Sequence, residues 1–200
     1  MTKEILTDIM AKIGWIVTIL GCPSALYFII SSIKNRKNIS WRSVKKGIKN
    51  LVGKIDVIKP DFIITFSGRG AIVASLVATE FDNKYPIYMC LLKRRYNKSF
   101  LSPQNWSKFN TSKWIVFVPD EIFIFKDKRI LIIDDITNSG ETIEELTKHL
   151  TNKGIDKENI FSMSLIANED VLSRLHIPQE YWKKVSISEY NVPWGKTEIK

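Results

Sequence analysis

Residues 130–143 read ILIIDDITNSGETI. Four aliphatic side chains, Ile130 to Ile133, make the most hydrophobic strand pattern in the chain. They run directly into two adjacent acids, Asp134 and Asp135, whose charges repel. Behind the acids stand hydroxyls, an amide and one glycine, from Thr137 to Thr142, and then a helix pattern from Gly140 to Lys153. A buried strand that delivers acids to a turn and a helix is half of a βαβ unit, and the rest of the chain repeats the alternation.

FIITF (62–66) reads as a strand, SGRG (67–70) as a turn and AIVASLVATEF (71–81) as a helix. IYMCLL (87–92) is a second strand. Residues 93–113 are polar, aromatic and irregular, and a loop of that length in a compact domain is functional or mobile. WIVFVP (114–119) and EIFIF (121–125) read as strands around a turn, and IFSMSLIAN (160–168) as another strand before a short helical piece. The expected fold is therefore α/β, with a central, mostly parallel sheet flanked by helices. Ligands of such sheets bind at the carboxyl ends of the strands, which puts SGRG and DDITNSGET on one rim. Ser40 caps a helix whose apolar face is Trp41, Val44, Ile48, Leu51, Val52 and Ile55.

The net charge of +9 is local. Residues 34–54 hold eight Lys or Arg and no acid, which leaves the remainder close to neutral. No helix-turn-helix, zinc or RNA-binding signature accompanies this collar, so nucleic acid is not an expected partner. Residues 13–33, IGWIVTILGCPSALYFIISSI, carry no charge, and about 20 apolar residues span a hydrocarbon core. A membrane-spanning helix is the expectation. A signal peptide, whose charges precede its apolar run, and a buried helix interrupted at Pro23 are the alternatives. The basic flank puts the C-terminal part on the cytoplasmic side of a single-pass cell-membrane protein. The organisation read from this is a tail (1–12), a span (13–33), a basic linker (34–38) and one domain (39–200). Cys22 and Cys90 make neither a disulfide framework nor a metal spacing.

Three machines that place acids at a strand end are excluded. GIKNLVGKI (47–55) has the wrong glycine spacing for a P-loop and Ile55 where a hydroxyl is required. A receiver domain has its acids near its start. Gly68-Arg69-Gly70 lacks the third glycine of a dinucleotide fingerprint. What remains is physical. Thr137 to Thr142 turn into a helix N-terminus, where backbone N–H groups and the dipole hold an anion such as a phosphate monoester. Two carboxylates upstream repel phosphate but accept hydrogen bonds from a vicinal diol, directly or through Mg²⁺. Diol and phosphate within one stretch describe a ribose 5-phosphate.

Ile130 to Thr142 resembles the 5-phosphoribosyl-1-pyrophosphate (PRPP) motif of type I phosphoribosyltransferases; ISWRSVKKGIKNLVGKI (39–55) with KPDFIITFSGRGAIVAS (59–75), LLKRRYN (91–97) and the Val192-Pro193-Trp194 tail are similar to the xanthine and hypoxanthine-guanine branch, a resemblance over roughly residues 39–196. That resemblance implies a Rossmann-like fold with a flexible loop at 95–113 and a small hood from about residue 169 to 200. It implies that Asp134 and Asp135 meet the ribose hydroxyls and share Mg²⁺, and that they act in catalysis with Asn138. Thr137, Asn138, Ser139, Gly140, Glu141 and Thr142 would cradle the 5′-phosphate. Ser67, Gly68, Arg69 and Gly70, with Lys93 and Arg94, would hold pyrophosphate; for Lys93 and Arg94 ordinary loop charge is an equal reading. Tyr190, Val192 and Trp194 would meet the base, although Trp182, Tyr190 and Trp194 fit a core equally well. The implied reaction transfers phosphoribose from PRPP to a nitrogenous base or nucleotide and releases pyrophosphate; a homo-oligomer is also expected. The other reading is a PRPP or nucleotide sensor, or a membrane effector, on the same fold. Three departures separate the chain from that branch: Asn138 where purine enzymes often carry an acid, Arg69 and Gly68 exchanged in the pyrophosphate loop, and Gly195 where the hood often has an acid.

Overall fold

A computed structural model describes residues 37–96, 103–186 and 190–197. The expected membrane span, 13–33, lies outside them, and among the described residues no helix is long and apolar enough to cross a membrane.

Strands β1 (Lys37–Asn38), β2 (Phe62–Phe66), β3 (Ile87–Arg94), β4 (Trp106–Asn110), β5 (Trp114–Pro119), β6 (Ile130–Thr137), β7 (Ile160–Asn168), β8 (Glu180–Val185), β9 (Tyr190–Val192) and β10 (Gly195–Thr197) alternate with helices α1 (Trp41–Ile58), α2 (Arg69–Thr79), α3 (Glu141–Asn152) and α4 (Glu169–Leu175). A seven-stranded sheet has the order β4-β5-β3-β2-β6-β7-β8. Its β3-β2-β6-β7-β8 portion is parallel, and β5 and β4 add antiparallel at the β3 edge. From β2 the chain passes to β3 on one side and later returns to β6 on the other. The gap above the ends of β2 and β6 is thus a topological switch point, where such sheets open a crevice.

The strand β6 explains the two-sided core. Leu131 and Ile133 pack with Val44, Leu51, Val73 and Val77 on one face, while Ile130 and Ile132 pack with Ile143, Leu146 and Leu150 on the other. Burying one such side chain fully contributes about 1.5–3 kcal/mol, so a strand apolar on both faces is held centrally. Helix α1 starts at Ser40, whose hydroxyl accepts from Ser43 N–H. It buries Val44, Gly47, Ile48, Leu51, Ile55 and Ile58, a helical stripe. Gly47 lets that helix lie against the sheet, since a Cβ there would stand 2.7 Å from Leu165 and from the Trp182 ring.

Three expectations are corrected. EIFIF is a 3-10 helix over Asp120–Ile124: Pro119 ends β5, and only Ile122 of the segment is buried. The region 93–113 is not irregular throughout. Strand β3 continues to Arg94, and β4 pairs with β5 from Trp106 to Asn110; as an edge strand β4 needs no apolar run. The second helix begins at Arg69, so two residues of SGRG belong to its first turn.

A second sheet, β1-β9-β10, joins both ends of the described chain. Lys37–Asn38 run parallel to β9, and Ile39 N–H donates to the Asn191 carbonyl at 2.8 Å. Residues 180–185 add to the main sheet as β8.

Candidate active site

Strand β6 carries both acids. Asp134 is half-buried, and its Oδ1 accepts from Asp135 N–H at 2.9 Å. Asp135 is buried; its Oδ1 accepts from Ile136 N–H at 2.9 Å and its Oδ2 from the Trp194 indole N–H at 3.1 Å. Burial, and then the neighbouring Asp135 charge, push the Asp134 carboxyl well above the usual carboxylate range. Burial also raises Asp135, against the Trp194 hydrogen bond and the Arg69 guanidinium, which favour its ionised form. Such a pair is relieved by hydroxyl donors or by a cation.

Facing the acids is the first turn of α2. Gly68 has φ +91 and no side-chain cap precedes the helix. Gly70 permits the closest approach: a Cβ there would stand 3.0 Å from Asp134 Oδ1 and 3.0 Å from Thr65 Oγ1. Ser67 is engaged with β3, its hydroxyl accepting from Leu92 N–H at 2.9 Å. Arg69 reaches the hood, since a Cβ on Gly195 (φ +151) would lie 3.2 Å from its Nη2. Two of the three departures seen in the sequence therefore meet in space.

The turn into α3 separates its residues by role. Gly140, with φ +73, precedes the helix without a side-chain cap, and α4 packs so closely that a Cβ would stand 2.9 Å from Val171 Cγ1. Ser139 is exposed and Thr142 half-buried at this open helix start. Thr137 is turned away; it is buried and hydrogen-bonds the Ser164 hydroxyl on β7. Glu141 also points elsewhere, its two carboxylate oxygens accepting from Ser112 N–H and Oγ–H, each at 2.6 Å. It pins the β4–β5 turn. Asn138 is half-buried, and Asn168 Nδ2 approaches its carbonyl oxygen at 3.2 Å and its Oδ1 at 3.4 Å.

The remaining expected residues divide. Lys93 is half-buried near the end of β3; Arg94 is exposed, over the rings of Trp114 (5.1 Å) and Tyr96 (5.7 Å). Val192 is buried in the core cluster of the α1 face. Tyr190 is placed by its backbone in β9, paired with Lys37. Trp194 packs at a tilt on Trp41, with ring centroids 5.7 Å apart, and bonds Asp135. Trp182 packs on Gly47.

The sequence reading missed Thr65, whose buried hydroxyl donates to the Ile133 carbonyl at 2.9 Å and ties β2 to β6 beneath the acids. It also missed Asn168, which caps α4 through Asp170 N–H and supports Asn138. A polar residue at the end of β7, on the rim already assigned to ligand, was the available signal for Asn168.

A hard cation fits this donor set. Among the described residues no group of three or more His, Cys, Asp or Glu converges. The protein thus offers two adjacent carboxylates, which suits Mg²⁺, an ion commonly held by one or two carboxylates together with substrate phosphates.

Comparison with known proteins agrees with this fold. The solved structures that share the fold include a purine phosphoribosyltransferase from Pyrococcus horikoshii Ot3, at TM-score 0.61 and 21% identity, covering 83% of this chain and 98% of that one. A xanthine-guanine-hypoxanthine phosphoribosyltransferase from Helicobacter pylori matches at TM-score 0.55 and 18% identity, over 80% and 93% of the two chains. A Neisseria gonorrhoeae protein with bound ppGpp matches at TM-score 0.55 and 20% identity, over 80% and 89%. No curated protein sequence matches. The phosphoribosyl transferase domain profile matches residues 31–196, nearly everything after the uncharged N-terminal stretch, and the chain belongs to that family.

Proposed function

We propose that the chain binds PRPP with Mg²⁺ above β2 and β6 and transfers its phosphoribosyl group to a nitrogenous base, releasing pyrophosphate. The observation that carries this reading is the approach of Gly70 to Asp134. It sets the open start of α2 beside the acid pair, with the open start of α3 on the same rim. A ribose hydroxyl pair would occupy the acids, the 5′-phosphate the N–H groups around Ser139, Gly140 and Thr142, and pyrophosphate the Gly68–Gly70 turn beside Arg69. Asp134 and Asp135 would hold Mg²⁺, which when bound neutralises charge on the departing pyrophosphate. Bond breaking at the ribose C1 leaves an oxocarbenium-like carbon, and a base nitrogen attacks its free face. The protein's part is to orient and to stabilise charge, with no covalent intermediate.

The test is pyrophosphate release from PRPP with Mg²⁺ over a panel of purine and pyrimidine bases, with Asp134→Asn as control. Turnover with some base that the variant loses supports the enzyme; PRPP binding without turnover for any base rejects it.

One observation favours the second reading, a PRPP or nucleotide sensor. Both oxygens of Asp135 already accept from the protein itself, from Ile136 and Trp194. Residues 13–33 would tether either form to the cell membrane with the domain on the cytoplasmic side. Deleting residues 1–36 should then move the protein from the membrane fraction to the supernatant; if the shortened protein stays with the membrane, the tether lies elsewhere.

A further inference from the structure

We propose that the outward face of helix α1 is a docking surface for anionic lipid headgroups, which lays the domain against a membrane leaflet. The inference rests on the reading of residues 13–33 as a tether and adds a second, electrostatic contact made by the domain itself.

Arg42, Lys45, Lys46 and Lys49 are all exposed on α1. At helical spacing they fall within an arc of about 100°, opposite the buried stripe of Val44, Ile48, Leu51 and Ile55. Among the described residues none of the four enters an ion pair. Glu180, the acid of the neighbouring strand β8, is taken by Lys54. The acid of α1 itself, Asp56, stands about 10 Å beyond Lys49 along the axis, past the screening length of exposed charges at physiological salt.

This arrangement costs the helix stability. Arg42 with Lys46, and Lys45 with Lys49, are like charges at i,i+4 spacing and repel across one turn. The first turn holds no acid, and Arg42 there opposes the helix dipole. A face that only meets water can mix its charges, as α3 does where Lys148 pairs with Glu144 and Glu145. On α1 the repulsion is left for an external anionic surface to relieve. Trp41 stands at the same end and is 57% exposed, although its ring also packs on Trp194. An indole so placed suits the boundary between headgroups and hydrocarbon. Chain length favours a membrane over other polyanions. Helix α1 starts at Trp41, so its first turn lies within about 29 Å of Ile33, where the uncharged stretch ends. Each basic side chain near an anionic leaflet favours contact roughly fivefold, so four together give roughly several hundredfold, weakened by salt.

The experiment adds the full chain to preformed vesicles of phosphatidylcholine alone, or with about 30% phosphatidylserine, an anionic lipid. Sedimentation reads association. Amine-reactive labelling, followed by mass spectrometry, reads Lys45, Lys46 and Lys49, with Lys148 on the opposite side of the sheet as reference. The chain should sediment with both vesicles. The α1 lysines should label about fivefold or more slowly on phosphatidylserine vesicles alone, with Lys148 unchanged, and salt of about 0.5 M should abolish the difference. Lys45→Gln with Lys49→Gln, both on the exposed face, should bring Lys46 labelling on the two vesicles close to equal. Equal labelling of the wild type on both vesicles overturns the docking face and leaves the tether standing, as does protection of Lys46 that the double variant retains. Sedimentation with phosphatidylserine vesicles alone, with the α1 lysines protected, supports the face and removes the span. Sedimentation with neither overturns both. Protection of the same lysines by duplex DNA or RNA, and not by phosphatidylserine, assigns the face to nucleic acid and overturns the proposal.

Discussion

The guanidinium of Arg69 lies where a side chain at position 195 would begin, 3.2 Å from a Cβ built on Gly195. Gly195 also has φ +151, a backbone that L side chains avoid. Gly195→Ala therefore carries two costs, backbone strain and displacement of Arg69, whose charge favours ionised Asp135. The expected outcome is a stability loss of about 1–3 kcal/mol, read by denaturant melts, and faster amide exchange across 190–197. A variant with unaltered stability and exchange would show that Arg69 and the hood are not coupled here.

Asp134 is held above the usual carboxylate range, first by burial and then by the charge of Asp135. A raised folded pKa contributes stability that is complete below the ordinary value of 3.8 and is lost as pH rises through the raised value. The ligand-free protein should accordingly become less stable as pH rises through that window. PRPP and Mg²⁺ binding, which needs the ionised pair, should strengthen over the same window. Asp134→Asn keeps the Oδ1 acceptor for Asp135 N–H and removes the buried charge. Its ligand-free Tm at neutral pH should rise by about 2–4 °C, corresponding to about 1 kcal/mol, while turnover falls by roughly 100-fold or more. Scanning calorimetry against pH, with and without PRPP, reads both; a variant that melts lower would assign Asp134 a structural role.

The bond between Glu141 and Ser112 pins the β4–β5 turn to the start of α3. Glu141→Ala should lower stability by about 1 kcal/mol, since Ser112 is exposed and water replaces its partner. The clearer readout is local: limited proteolysis between residues 103 and 113 should quicken severalfold. A second clasp on the same hairpin is Ser107 Oγ with His149 Nε2 at 2.8 Å. Burial, and then Lys153, lower the His149 pKa against the pull of Asp120. That contribution is present above the ordinary histidine value of 6.5 and is lost as pH falls through the lowered one, so acid should accelerate the same cleavage. Unchanged cleavage in the variant and across pH would remove both clasps from the account.

What the sequence conveyed depended on how local the cause was. Helix α1, β6 and the open turns at Gly68 and Gly140 follow from neighbours in the chain: a Ser cap, an apolar run and glycines at positive φ. Where a side chain in the motif points is decided by distant residues. Thr137 and Glu141 sit inside the phosphate motif, yet one turns to Ser164 and the other to Ser112. The 3-10 turn at Asp120–Ile124 was hidden for a related reason. Alternating apolar residues read as a strand, but the β5 edge was already paired with β4. The meeting of Arg69 with Gly195 joins residues far apart in the chain, and no spacing rule brings them together.

Asn138 is the departure most open to reversal. Asn168 Nδ2 approaches its Oδ1, and an aspartate oxygen at the same place would accept that approach at least as well. Asn168 is itself fixed by capping α4 through Asp170 N–H, so the support does not shift. Asn138→Asp should therefore fold with stability within about 1 kcal/mol of wild type. It gains a carboxylate where an amide has no basic function at neutral pH. If a purine with a dissociable ring N–H is the acceptor, that carboxylate takes the proton as the new bond forms. Such assistance is worth about 100-fold or more when fully positioned, and roughly 10-fold is expected here without a matched hood. Pyrophosphate release with adenine, guanine, hypoxanthine and xanthine, measured from pH 5 to 9, reads it. A rise confined to purines, with a new acidic limb in the rate profile, fits proton transfer at residue 138. Equal rates for wild type and variant with every base would place residue 138 away from the acceptor, and its pairing with Asn168 would then serve only to shape the turn into α3.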